Sequence, residues 1–296
     1  MAIMRHIVEG TRIVRANWPL VIIAFLFKLS LAFLLLIPLQ SLVSQTFGHR
    51  PAAGHLLTEW DLTALIDFLY NSRTALEQYG HLLLVGIIIA LAVHLFLSGG
   101  LFRSLAADLQ EEPISFAAER FFGWCGGYFW RFVKLAIASA IFYLAVSVLC
   151  IILSGLGLRL IVGDMAHEPV GIVAASGRLV LLILLLLSVN VCMTYAKISA
   201  VVQEERGLFG ILRAAFRFLR GSVWRAATLY GVLLIGLLVI TGAYWVVHTG
   251  CHLLPTALTI ASLFFVQQVL SLTRSWYRLL GYASQTDLYV KHQSGV

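Results

Sequence analysis

The chain has 296 residues, of which 60% are hydrophobic and only 12% are charged, and its formal net charge is +7. Soluble domains average about 25% charged residues, so this composition excludes an ordinary water-soluble fold. The apolar residues form long continuous runs, whereas a membrane β-barrel needs alternating segments of about ten residues. The composition therefore predicts membrane-spanning α-helices, which satisfy their own backbone hydrogen bonds in lipid.

Six apolar runs are long enough to cross about 30 Å of hydrocarbon as helices. The predicted spans are residues 18–43, 81–104, 131–158, 176–200, 223–247 and 254–280. Tryptophans at one set of span ends suit interfacial anchors. They are Trp18, Trp130, Trp224 and Trp276. We therefore predict an all-α polytopic membrane protein with a single integral membrane domain over residues 1–296.

The positive charges predict the orientation of these spans. Most of the 21 Lys and Arg residues precede the first span, occupy the second-to-third and fourth-to-fifth connections, or lie near the C-terminal end. Cytoplasmic connections of membrane proteins carry an excess of Lys and Arg. Both termini are therefore expected in the cytoplasm.

Self-comparison indicates three copies of one unit, at residues 1–108, 109–202 and 203–290. Gln110 to Glu112 followed by Phe116 match Gln203 to Glu205 followed by Phe209 at a constant offset. Each unit would comprise a cytoplasmic amphipathic helix, an interfacial Trp and a helical hairpin. Chance remains the alternative, because Trp-Arg pairs are common at membrane boundaries.

Residues 206–220 form the best-defined amphipathic helix. At 100° per residue, four arginines fall in a sector of about 60° beside an apolar stripe. The arginines are Arg206, Arg213, Arg217 and Arg220, and the stripe is Phe209, Leu212, Phe216 and Leu219. We expect this helix to lie in the headgroup layer with its arginines on anionic lipid headgroups. The alternative is that the arginines only set topology and snorkel.

Lys28 lies near the middle of the first predicted span. A lysine at that depth costs about 2.5–3.5 kcal/mol on insertion scales, and no Asp or Glu occurs in any predicted span. Its charge would then meet a carbonyl, water or an anionic ligand. Two interpretations follow, a snorkelling lysine or a counter-charge for an anionic lipid or solute.

His94 lies in the second predicted span, where a ring nitrogen could ligate a haem or a pigment metal. It has no partner at a fixed spacing, so a hydrogen bond to a neighbouring helix is the simpler interpretation. No metal site or other cofactor is predicted. The sequence also lacks the phosphate-loop, HExxH, GxSxG and Rossmann glycine patterns, so no enzymatic activity is expected.

The stretch from Val202 to Arg217, VQEERGLFGILRAAFR, followed by Trp224-Arg225, resembles a cytoplasmic stretch of a broad bacterial group. That group comprises the six-helix membrane domain of some glycerophosphoryl diester phosphodiesterases and related inner-membrane proteins. Ser98 to Gly100, leading into Gln110, resembles the exit of the group's second span. The resemblance implies a bacterial inner-membrane location and a six-helix bundle. It implies no phosphodiesterase activity, because that chemistry belongs to a separate soluble barrel.

The leading hypothesis is a non-enzymatic bacterial inner-membrane protein that interacts with lipids or supports transport. Its expected partners are membrane lipids with anionic headgroups, not nucleic acid. One alternative is an accessory or structural subunit of a larger redox or photosynthetic membrane complex, with other membrane subunits as partners. A second alternative is a small-solute permease that uses helix breaks at Pro38 and Pro255.

Overall fold

A computed structural model describes residues 2–47, 66, 70, 73–110, 116–162, 168–204, 207–251 and 257–294. Within these ranges the chain forms seven helices. They are α1 (Ala2–Ala16), α2 (Trp18–Phe47), α3 (Arg73–Gln110), α4 (Ala118–Val162), α5 (Glu168–Val202), α6 (Leu208–Cys251) and α7 (Ala257–Gln293). The predicted all-α class is confirmed for this described part of the chain.

Five of the seven helices are long and apolar enough to cross a membrane. The five segments are Trp18–Ser41, Leu76–Leu109, Ala118–Leu153, Ser176–Val202 and Leu208–Gly250. They overlap the first five predicted spans, although the third and fifth begin well before the predicted starts at residues 131 and 223. The chain is a multi-pass α-helical membrane protein. The sixth predicted span, 254–280, begins outside the described residues and continues into α7, which is not among the five. That span stays a prediction.

Contacts divide the chain into two compact units, residues 22–94 and residues 1–21 with 95–296. In the smaller unit, the Tyr79 hydroxyl donates a hydrogen bond to the Leu35 carbonyl at 3.1 Å. Gly86 also lies against Leu35, because a β-carbon added there would be 2.9 Å from Leu35 Cδ2. These contacts hold α2 and α3 together within that unit.

In the larger unit, packing is densest where several helix ends meet. Gly10 of α1 contacts Ser284 of α7, and Gly100 of α3 contacts Phe121 and Cys125 of α4. The Arg131 guanidinium of α4 donates to the carbonyl of Glu204, which follows α5. We call this region the basic end. It collects α1, the last turns of α3, α5 and α7, and the first turns of α4 and α6.

The core of the basic end is aromatic. Ring centroids lie 4.7 Å apart for Tyr195 and Phe218, and 4.9 Å apart for Phe218 and Tyr289. Phe102 and Tyr282 lie 4.6 Å apart. Burial raises the pKa of Tyr289 to about 12, which favours the neutral phenol further. A neutral hydroxyl costs far less to bury than a phenolate would.

Beyond the basic end, large apolar side chains of the spans are exposed on the protein surface. Examples are Ile141, Leu144, Leu184, Leu238 and Val239. In water such a surface would be an aggregation site, whereas in a bilayer it contacts lipid tails. Polar groups at this depth find partners within the protein: Asn190 Nδ2 donates to the Tyr230 hydroxyl at 2.7 Å, and the Thr241 hydroxyl donates to the Leu237 carbonyl of its own helix.

Two helix breaks fall where the first and fifth spans were predicted to begin. Between α1 and α2, the side chain of the buried Asn17 donates to the Ile13 carbonyl, and Pro19 sits in the first turn of α2. Proline is tolerated there because the first amides of a helix lack intrahelical acceptors. In α6, Ser222 leaves helical geometry with φ −140° and ψ 30°. By contrast, the first turns of α4 continue directly into its span.

A buried carboxylate joins the two termini of the chain. Asp287 of α7 is 1% exposed, and its Oδ2 lies 2.6 Å from Nδ1 of His6 in α1. Lys291, one turn later, places Nζ 2.9 Å from Asp287 Oδ1. Buried carboxylates are tolerated when paired in this way. The cluster fixes α1 against α7.

Changing Gly100→Ala should destabilise the protein. The new β-carbon would lie 3.0 Å from the Phe121 carbonyl oxygen and 2.8 Å from Phe121 Cε2, so α3 and α4 must move apart. Overpacking of this kind costs about 1–3 kcal/mol. The matched control is Gly123→Ala in α4, where a β-carbon meets nothing within 4 Å. Thermal unfolding in detergent should show a lower Tm for Gly100→Ala and an unchanged or higher Tm for Gly123→Ala.

Changing Asp287→Asn should lower the Tm more strongly than loss of an exposed ion pair. Removing one partner of a buried pair costs about 3–5 kcal/mol, whereas exposed pairs contribute about 0–1 kcal/mol. Glu77→Gln is the control, because the Arg73–Glu77 pair is 3.4 Å long and largely exposed. Equal Tm values for the two variants would contradict a stabilising role for the cluster.

Candidate functional site

The first segment of α6, residues 208–221, lies at the basic end with one face buried. Ile211, Ala215 and Phe218 are buried in the aromatic core. The Ser199 hydroxyl of α5 donates to the Ile211 carbonyl at 3.2 Å, which ties the segment to α5. These contacts fix which face of the segment points outward.

The outward face combines cations with aromatic rings. We call it the arginine–aromatic face. It consists of Phe209, Arg213, Phe216, Arg217, Arg220 and Trp224, all exposed. Phe209 is 86% exposed and Trp224 is 83% exposed. At 100° per residue the five side chains from Phe209 to Arg220 span a sector of about 100°, opposite the buried face. Trp224 lies just beyond the break at Ser222.

The arginines of this face lack acidic partners within the described part of the chain. No ion pair there involves Arg213, Arg217 or Arg220. Arg206, the fourth predicted arginine, lies outside the described residues. Three guanidinium groups beside exposed rings can bind phosphate oxygens while the rings enter the interfacial layer.

The predicted apolar stripe of this segment is wrong in one respect. Phe209 and Phe216 are exposed as expected, but Leu212 and Leu219 pack against the core cluster. Tertiary packing, not the membrane, therefore covers half of the stripe. The face offered to the bilayer is narrower and more basic than the sequence indicates.

Lys28 lies within the first candidate span, in the smaller unit, and its residue is half-buried. It takes part in a polar or electrostatic contact. It therefore does not stand as an isolated charge in the protein. Its interpretation as a counter-charge for an anionic lipid or solute stays a prediction.

His94 is also half-buried, in α3 of the smaller unit, and it too has a contact of this kind. Among the described residues, no group of three or more His, Cys, Asp or Glu side chains could hold a metal ion. A haem or pigment metal needs only one protein ligand in some proteins. The role of His94 as a ligand stays a hypothesis.

A cleft at the basic end was not predicted from the sequence. Its volume is about 330 Å³ only when the open solvent at its mouth is counted. Its lining residues are Asn17, Ser104, Ala107, Asp108, Phe116, Ala117, Arg120, Phe121 and Trp124. They come from the α1–α2 junction, the end of α3 and the start of α4. The usable sequence signal is that all of them lie close to the ends of apolar runs.

Comparisons with protein-family models, with curated proteins and with solved structures give no match to this chain.

Proposed function

We propose that this chain is a non-enzymatic bacterial inner-membrane protein that binds anionic lipid headgroups at its basic end, which faces the cytoplasm. In this proposal α7 supplies a sixth span near residues 254–280, and the spans form three hairpins.

The arginine–aromatic face is the observation that carries the proposal. Its arginines have no acidic partner among the described residues, and Phe209 and Trp224 are the two most exposed large hydrophobic side chains of that part of the chain. Near an anionic leaflet each Lys or Arg contributes about 1 kcal/mol. If the arginines only set the topology, their number matters but their position on the helix does not. Here they lie on one face together with three aromatic rings.

The membrane orientation draws support from the basic end itself. The two termini and the two connections richest in Lys and Arg meet there, as an even number of spans requires. Three of the four predicted interfacial anchors, Trp18, Trp130 and Trp224, are exposed, whereas Trp276 is half-buried. The positive-inside rule then favours the cytoplasm for this end.

The bacterial assignment rests on the resemblance of the stretch from Val202 to Arg217 to the membrane domain found in some glycerophosphoryl diester phosphodiesterases. We propose membership of that broad group on this resemblance alone. The motif is placed on the α5–α6 connection and the arginine–aromatic face. If membership holds, the same face is expected to serve the same purpose across the group.

Replacing Arg213, Arg217 and Arg220 together with Gln should weaken phosphatidylglycerol binding by about a hundredfold, from about 1 kcal/mol per arginine. The apparent Kd would be measured by native mass spectrometry of purified protein titrated with the lipid in an uncharged detergent. Purified protein removes the complication that charge loss alters insertion in cells.

Two controls accompany that experiment. The triple Arg→Lys variant keeps the charges and should retain most of the affinity, whereas Arg178→Gln removes an exposed cation remote from this face and should change nothing. Wild-type affinity in the triple Gln variant would show that these arginines only set topology.

A further inference from the structure

The cleft lies among the ends of three candidate spans. Asn17 immediately precedes the first candidate span, Asp108 lies one residue before the end of the second, and Ala118 begins the third. Three ends of apolar helices therefore meet at this cleft. Trp18, which follows Asn17, is exposed there as an interfacial tryptophan would be.

One side of the cleft is acidic. The Asn17 side chain and the charges of Arg12 and Glu9 lie near the Asp108 carboxylate. Arg12 and Glu9 pair with each other, with Arg12 Nη1 3.3 Å from Glu9 Oε1. These three ionised groups together leave one net negative charge. A cation beside Asp108 would balance it.

The other side of the cleft is suited to an anion. Arg120 lines it and makes no ion pair within the described residues. The Phe121 amide donates to the Ala117 carbonyl at 3.0 Å, the first such bond of α4. The amides of Ala118, Glu119 and Arg120 precede it, and a helix N-terminus with unsatisfied amides attracts phosphate.

Ser104 is an independent sign of a missing partner. It is 7% exposed, it lines the cleft, and its hydroxyl has no hydrogen-bond partner among the described residues. Buried hydroxyl groups are nearly always bonded, to protein, to water or to a ligand. A polar ligand in the cleft would supply the bond that the described side chains do not.

We propose that this cleft binds a phosphoethanolamine headgroup of a membrane phospholipid. The ammonium group donates hydrogen bonds to the Asp108 carboxylate, and the phosphate accepts them from Arg120 and the first amides of α4. The Ser104 hydroxyl completes its bonding on the same headgroup. This site goes beyond the anionic-lipid proposal, and it rests only on the membrane location of the basic end.

The chemistry of the cleft selects ethanolamine over choline and glycerol headgroups. A trimethylammonium group has no N–H to donate and is usually held by open aromatic faces. Here the Arg103 guanidinium already lies over the Trp124 ring, 5.8 Å from its centroid. A phosphatidylglycerol headgroup carries no cation to balance Asp108.

The test compares phosphatidylethanolamine, phosphatidylcholine and phosphatidylglycerol with identical acyl chains, bound to the purified full chain in an uncharged detergent. Wild type should prefer phosphatidylethanolamine over phosphatidylcholine by at least about tenfold, as expected for a charge-assisted hydrogen bond. Asp108→Asn, which keeps the shape, should abolish that preference. Arg120→Gln should weaken phosphatidylethanolamine and phosphatidylcholine alike, and Glu119→Gln, the adjacent exposed control outside the cleft lining, should change neither.

Two further comparisons distinguish binding in the cleft from binding at the arginine–aromatic face, and a lipid ligand from a soluble one. The triple Arg213, Arg217 and Arg220→Gln variant should keep the phosphatidylethanolamine preference, so either proposal can fail alone. Soluble phosphoethanolamine should bind at least about a hundredfold more weakly than the lipid, because it lacks the acyl chains that bury in hydrocarbon. Equal affinity for the soluble compound overturns the lipid assignment. An absent preference in wild type, or an unchanged one in folded Asp108→Asn, overturns the site.

Discussion

Because hydrocarbon is the solvent of the spans, it determines where the side chains of this protein pack against one another. Apolar side chains gain nothing by leaving lipid tails for one another, so large residues such as Ile141 and Val239 stay exposed. At the basic end, water is present and the hydrophobic effect operates again. The aromatic core around Tyr195, Phe218 and Tyr289 therefore forms there, and the buried Asp287 cluster lies beside it.

The hydrocarbon solvent also explains why the side chains that could bind a ligand lie at the basic end. Polar side chains are costly within the spans and cheap at their ends. The arginine–aromatic face and the cleft beside Asp108 both occupy span ends, where phosphate and ammonium groups of lipids lie. The arginine–aromatic face offers exposed cations, and the cleft offers a carboxylate and a cation together. Under the two proposals above, these sites would distinguish lipids by headgroup without contacting their tails specifically.

Sequence reasoning succeeded where the physics is local. Apolar runs predicted six spans, and five of them correspond to helices long and apolar enough to cross a membrane. The predicted start of the fifth span at residue 223 falls beside Ser222, where α6 departs from helical geometry. Sequence reasoning failed where tertiary contacts decide. Leu212 and Leu219 carry the same stripe as Phe209 and Phe216, yet only the fold covers the leucines. The cleft joins Asn17, Asp108 and Arg120 from three parts of the chain, and His6 meets Asp287 across 281 positions. No spacing pattern in the sequence predicts contacts between residues so far apart.

The most direct test of the account asks which side of the membrane the basic end faces. Single cysteines at Gln203, at Ser294 and at Thr249, all exposed, would be labelled with a membrane-impermeant maleimide in spheroplasts and in inverted vesicles, with wild type as background. We expect the cysteines at Gln203 and Ser294 to react only in inverted vesicles and the cysteine at Thr249 only in spheroplasts. A cytoplasmic basic end would be contradicted if the cysteines at Gln203 and Ser294 reacted from opposite sides of the membrane, or if both reacted from the outside.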